Sequence, residues 1–228
     1  MHLHGGWFNW GSAKAYRHFA GQIAARAGAA VFVPAYRLAP EYPFPAAAED
    51  VEAAYRGLIE RGFSKIAVTG DSDGGNLSLG LLVQMAASGE DGSKELVGGV
   101  ALSPVTDLAL SGDSWMTRAE SDPVFTKDQV TGLVESYLAG RRGDDPSASP
   151  VYADLKGLAP VRVHVGDDEV LLDDSVRFVE RAVEAGVDAR LDVWEGMLHG
   201  FTGSVGRVRA AGEALELVGE FLRERFAD

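Results

Sequence analysis

What most constrains this chain is the stretch from Lys65 to Ala87. It begins as a short β-rich run, Lys65 to Gly70, and ends in Leu77 to Ala87, which is apolar nearly all round a helical wheel. A helix without a polar face is a poor surface element and suits a place packed centrally on a sheet. Between the two runs stands Gly70-Asp71-Ser72-Asp73-Gly74, whose glycines leave room for a tight connection.

The same rhythm recurs along the chain. Ala29 to Pro34, Val97 to Leu102, Val161 to Gly166 and Ala189 to Trp194 read as strands, and a stub of apolar strand precedes His4. Apolar residues at three- and four-residue spacing predict helices over Ala13 to Ala27, around Val51 to Ile59, around Val176 to Val183, and from about Arg207 to Phe226. Strands alternating with helices mean a mainly parallel sheet covered on both faces. Asp107 to Pro160 interrupts the alternation with Trp115, Phe125, a helix predicted over Lys127 to Leu138 and a Pro/Ser/Asp-rich stretch. Such an insertion beside a sheet is expected to act as a lid. With 228 residues, 46% of them hydrophobic, one domain is expected over residues 1–228.

Charge and cysteine content narrow the chemistry. Lys and Arg number 21 against 34 Asp and Glu, and the net charge of −13 argues against a phosphate-binding surface for nucleic acid. No run approaches the roughly 20 apolar residues that a membrane helix needs, so a cytoplasmic location without membrane contact is the expectation. Zero Cys excludes disulfides, thiolate catalysis and thiolate metal sites.

Gly70-x-Ser72-x-Gly74 between a strand and a helix is the context of a nucleophile elbow, in which a strained Ser72 projects its hydroxyl above the sheet. The competing reading is a helix N-cap by Ser72 or Asp73. Near the start, His4-Gly5-Gly6-Trp7 places two glycines where backbone N–H groups could point at a substrate oxygen, with the Asp73 N–H as a third donor of an oxyanion hole. His199 follows the last strand and precedes the final helix, where the base of such a site belongs. His164 lies mid-strand and reads as core, His2 and His18 have no chemical context, and His4 is expected to shape its loop rather than titrate. The acid that orients His199 should follow the Val161 to Gly166 strand, but Asp167, Asp168, Glu169, Asp173 and Asp174 all crowd that region. Spacing alone does not choose among them.

Taken together, these motifs resemble the bacterial hormone-sensitive-lipase-like esterases of the Gly-Asp-Ser-Ala-Gly subgroup. The resemblance spans almost the whole chain. It rests on His4-Gly5-Gly6, Tyr36 to Glu41, Pro43 to Ala46, Gly70-Asp71-Ser72, Ser103 to Asp107, Glu169 to Asp174 and Gly196 to Phe201. It implies the α/β-hydrolase fold, a Ser, acid, His triad, no cofactor, and small-molecule esters of short to medium acids as substrates. It also implies Glu169 as the acid, with Asp168 as the alternative one residue away. Trp7, Phe8, Trp10, Tyr42, Trp115 and Phe201 are the expected pocket walls, and a homodimer is a further expectation.

Two departures from the family pattern carry expectations of their own. The family usually has Ala where this chain has Asp73, so a carboxylate there should oppose charge developing on the oxyanion and lower activity. The family also carries roughly 70 or more residues before its His-Gly-Gly, with cap helices and two strands. The expectation is therefore an apolar Ala29 to Pro34 edge strand and a partly unroofed acyl pocket. The rival functional readings are amide or lactone hydrolysis by the same triad, and a non-catalytic binding protein on the same scaffold.

Overall fold

The structure is a computed structural model that describes residues 1–89 and 94–227. Among them, β1 (His2–Leu3), β2 (Ile66–Asp71), β3 (Leu96–Leu102), β4 (Val161–Gly166) and β5 (Ala189–Trp194) pair in that order, all parallel. β2, β3 and β4 are buried almost throughout, which is why they read as continuous apolar runs rather than alternating ones. β5 ends the sheet, and its charged Arg190 and Asp192 suit an edge position.

Two layers of helix cover the sheet. α1 (Ala13–Ala27) and α7 (Arg209–Ala227) pack together on one face, over Ala67, Val100 and Leu102. α2 (Ala46–Glu60), α3 (Asp73–Ser88) and α6 (Leu172–Glu184) cover the other, over Val68, Ala101, Val161 and Val163. α3 is the nearly all-apolar helix of the sequence, and its contacts with β1, β2 and β3 explain why it needs no polar stripe.

The 107–160 segment carries α4 (Ser114–Thr117), α5 (Lys127–Leu138) and a single helical turn at Pro150–Tyr152. The Thr126 hydroxyl and the Gln129 side chain cap the start of α5 reciprocally. Tyr137 of α5 stacks on Phe8 with ring centroids 3.7 Å apart, and the Asn9 amide donates to the Leu133 carbonyl. The segment thus lies over the loop that follows β1.

One expected strand does not form. Ala29 to Pro34 makes no ladder; among the described residues, the bond from the His2 N–H to the Phe32 carbonyl ties it to the sheet. β1 offers only two residues to pair with, and Pro34 has no N–H to give. An apolar cavity of about 600 Å³ lies where this segment meets Met1, Leu58, Phe63, Ile66 and Phe226. Among the described residues, no helix is long and apolar enough to cross a membrane.

Candidate active site

β2 ends at Asp71 and α3 begins at Asp73, which leaves Ser72 alone to turn the chain. Its backbone takes φ 55 and ψ −122, a conformation that costs energy for any residue with a side chain and persists only where packing enforces it. The flanking glycines are the enforcers. A Cβ on Gly70 would collide with the Gly74 carbonyl, and a Cβ on Gly74 with the Leu3 carbonyl. The Ser72 side chain makes no cap bond to α3, so the N-cap reading of this serine falls away.

Ser72 and His199 both open into one pocket of about 420 Å³, together with Gly5, Gly6, Trp7 and Trp10. His199 arrives there because two loops are zipped together. The Asp167 N–H donates to the Trp194 carbonyl, the Asp168 N–H to the Met197 carbonyl, and the Gly196 N–H to the Asp167 carboxylate. With Asp167 spent on that loop and Asp168 half exposed, Glu169 is the carboxylate directed at the imidazole. Its Oε2 lies 2.8 Å from His199 Nδ1. Its Oε1 accepts from the Gly166 N–H at 2.6 Å and from the Ser103 hydroxyl at 2.8 Å.

Burial pulls the imidazole of His199 toward the neutral form, but the Glu169 hydrogen bond and charge, aided by Asp71 and Asp122, carry its pKa above the ordinary range. The 107–160 segment braces the same region. Asp122 accepts the Val170 N–H, Ser114 donates to the Val170 carbonyl, and Arg118 donates to the Asp167 carbonyl. Phe125 then packs edge-to-face with His199, ring centroids 4.9 Å apart, and with Trp7, ring centroids 5.3 Å apart.

His4 stacks on Tyr36 at 4.3 Å, and the Tyr36 hydroxyl donates to the His4 carbonyl. Burial holds this imidazole below its ordinary pKa, consistent with a loop-shaping residue. His164 is buried in β4, as a core residue would be.

The amides of the loop after β1 are not where the glycine count put them. The Gly5 N–H donates to the Asp71 carboxylate at 3.1 Å, and that carboxylate also accepts the Tyr16 hydroxyl. The Gly6 N–H donates to the Asp73 carboxylate at 2.6 Å. Two glycines give a backbone its freedom, but the carboxylates on either side of Ser72 decide where its N–H groups point. Burial pushes Asp71 up to about 6 and Asp73 up to about 7.

Four expected pocket walls lie elsewhere. Phe8 is fully buried under Tyr137, and Trp115 is buried in the core. Phe201 packs with Ala211 and Ala214 of α7 beside Trp194, and Tyr42 is 51% exposed beneath the Arg37 guanidinium. The pocket instead takes Tyr16 and Phe19 from α1, and Phe125 from the insertion. Tyr16 and Phe19 fall on the inward stripe of α1, where periodicity marks them as core; only the placement of that helix end beside Ser72 turns them into walls. Ser103, which opens the motif Ser103 to Asp107 in the sequence, joins the site only through its tertiary bond to Glu169.

A family model described as the α/β-hydrolase fold matches residues 1–203. An acetyl-hydrolase from Streptomyces hygroscopicus is 36% identical over 225 residues, covering 98% of this chain and 74% of that protein. A crystal structure of an esterase from the bacterial hormone-sensitive lipase family superposes with a TM-score of 0.94 at 43% identity, covering 98% of this chain and 75% of the other. An esterase crystal soaked with p-nitrophenyl butyrate superposes with a TM-score of 0.94 at 40% identity, covering 100% of this chain and 76% of that one.

Proposed function

This chain belongs to the hormone-sensitive-lipase-like esterases of the α/β-hydrolase superfamily and is a carboxylic-ester hydrolase, and we propose that it works through Ser72, His199 and Glu169. The observation that carries this reading is the 2.8 Å bond between Glu169 and His199 Nδ1 in the pocket that also holds the strained Ser72.

In this mechanism Glu169 fixes the tautomer with the proton on Nδ1, which leaves Nε2 free to act as base. His199 takes the Ser72 proton as Oγ attacks the ester carbonyl carbon. The N–H of Asp73, in the first turn of α3 where helices have no internal acceptor, donates to the oxyanion; of the amides after β1, Gly5 is held by the Asp71 carboxylate, while Gly6, and Trp7 beside it, are the proposed companions once they leave the Asp73 carboxylate. The imidazolium gives its proton to the departing alcohol oxygen as the C–O bond breaks. Water, deprotonated by His199, then hydrolyses the acyl-enzyme and returns Ser72 to its starting state.

Neutral esters with short to medium acyl chains are the proposed substrates. Trp7, Trp10, Phe19 and Phe125 line the pocket and, among the described residues, no Lys or Arg does, so an anionic substrate would find no cationic partner. Its volume of about 420 Å³ suits an acyl chain of a few carbons with its alcohol. The 107–160 segment serves as the lid in this reading, since Phe125 reaches the pocket from it.

The test is hydrolysis of a p-nitrophenyl ester series from acetate to laurate by wild type and Ser72→Ala, with fluorophosphonate labelling of both. Labelling at Ser72 and a rate maximum at short to medium acyl length are expected. A Ser72→Ala protein with native circular dichroism that keeps most of its activity overturns the triad.

A further inference from the structure

We infer that the Asp73 side chain holds the loop after β1 in a blocked state, by taking for itself the backbone amides that would otherwise bind the substrate oxyanion. The inference rests on the proposal that Ser72 is the nucleophile, and adds the residue that limits its rate.

A single oxygen, Asp73 Oδ1, accepts both the Gly6 and the Trp7 N–H groups at 2.6 Å. The other oxygen, Oδ2, accepts the Phe8 N–H at 2.8 Å. One anionic oxygen at the focus of two converging amides is the arrangement that stabilises a tetrahedral intermediate. Here it is filled from the protein side. Gly6 and Trp7 line the Ser72 pocket, whereas the Asp73 carboxylate is buried and is not part of its lining. The two amides therefore point away from the pocket, toward the carboxylate beneath the loop.

The loop pays in strain for this posture. Trp7 at φ 52 and Phe8 at φ 59 are consecutive aromatic residues in the left-handed region, which bulky side chains rarely enter. Gly6 sits at φ 138, and a Cβ there would collide with the Trp10 carbonyl. The posture is held by several contacts at once. The Asn9 and Trp10 N–H groups donate to the Gly6 carbonyl, Phe8 stacks on Tyr137, and Trp7 packs against Phe125. Hydrolysis then proceeds from a second state in which the Gly6 and Trp7 peptides release Asp73 and turn their amides to the pocket. This differs from a through-space effect of the Asp73 charge, because what is lost to catalysis is a pair of donors.

The experiment compares wild type with Asp73→Ala and Asp73→Asn, by kcat and KM on p-nitrophenyl butyrate and by the rate of fluorophosphonate labelling. Loss of one oxyanion donor costs on the order of 10²- to 10³-fold in kcat, so freeing a pair should raise kcat by about 10- to 100-fold in Asp73→Ala, with KM little changed. Asp73→Asn removes the charge but keeps an oxygen that can accept the Gly6 and Trp7 amides, so its gain should be several-fold smaller. Equal gains in the two variants would show a field effect and overturn the blocked loop, as would no gain in a natively folded Asp73→Ala. Where Asp73→Ala does not fold, Asp73→Ser, which is uncharged and can satisfy only one amide, takes its place under the same criteria. Each variant is paired with Ser72→Ala. Activity that survives in the double variant refutes the Ser72 reading itself, a result distinct from any of these.

Discussion

Glu169 bridges His199 to the end of β4. One carboxylate oxygen meets His199 Nδ1, while the other is pinned by the Gly166 N–H and the Ser103 hydroxyl. A carboxylate tethered on both oxygens cannot swing away, so the imidazole it holds has one orientation. Removing its charge should be severe: Glu169→Gln is expected to lower kcat by on the order of 10⁴, and Asp168→Asn by less than about tenfold. Kinetics of the two variants on p-nitrophenyl butyrate decide the matter, and the reverse order would move the acid to Asp168.

The pH profile follows from the same bond. In the proposed mechanism His199 accepts a proton from Ser72 only when neutral, and its pKa is raised because Glu169 outweighs the effect of burial. The acid limb of kcat/KM is therefore expected above the ordinary imidazole value of about 6.5, and lower in whatever activity Glu169→Gln retains. The stability that His199 draws from this pairing has the opposite trend. It is fully present below the unfolded pKa and is lost as pH rises through the folded one. A limb at or below the ordinary value would contradict the electrostatics of the pair.

Phe125 brings the 107–160 segment against His199, the proposed base. Its edge contacts with His199 and Trp7 each correspond to about 0.5–1.5 kcal/mol. Phe125→Ala should lower kcat by roughly 3- to 30-fold, with a native circular dichroism spectrum. Phe125→Leu should recover part of the loss. An Ala variant as active as wild type would leave the segment without a role at His199.

Asp174 should make stability fall as pH rises. It is fully buried; Oδ2 accepts the Thr106 and Asp107 N–H groups, and among the described residues Oδ1 has no hydrogen-bond partner. Burial, with the Asp107 charge second, pushes its carboxyl up to about 8. A raised carboxyl contributes stability below its unfolded pKa of about 3.9 and loses it progressively up to the folded value. Asp174→Asn keeps the acceptor and has no charge to bury, so its melting temperature should exceed that of wild type by a margin that widens from pH 5 to pH 8.5. Identical curves for the two proteins would refute the assignment.

Gly74 tests the elbow by size alone. A Cβ there meets the Leu3 carbonyl, which is held in β1 and cannot easily retreat. Overpacking of this kind costs typically 1–3 kcal/mol, so Gly74→Ala should melt about 3–10 °C lower and lose activity together with stability. Gly80, on the same helix with open space around it, should tolerate Ala without loss. Equal tolerance at both positions would mean that the elbow is less crowded than the structure has it.

Much of this architecture is legible from one dimension, because period and composition are local properties of a chain. The helix over Ala13 to Ala27 ends at Gly28 in the left-handed conformation, and the helix over Lys127 to Leu138 begins at a capping box. In both cases the residues that set the boundary are adjacent to it. Ala29 to Pro34 fails for the opposite reason. Its apolar residues favour a strand, but a strand exists only where a neighbour offers successive backbone groups, and β1 offers two residues.

Ser72 and His199 stand out in the sequence because each lies in a local context, a glycine turn after a strand and a loop before the last helix, that chemistry requires. Five carboxylates within eight residues after β4 do not, since which of them reaches His199 depends on how the loops after β4 and β5 zip together. The pocket walls are likewise a matter of assembly: Trp115 and Phe125 are both aromatic residues of one insertion, and one is core while the other touches the imidazole. The same holds for Asp73. Its position beside Ser72 is written in the chain, but the direction of a buried carboxylate is set by whichever donors the fold brings to it, and here these are the amides of a loop some 65 residues away in sequence.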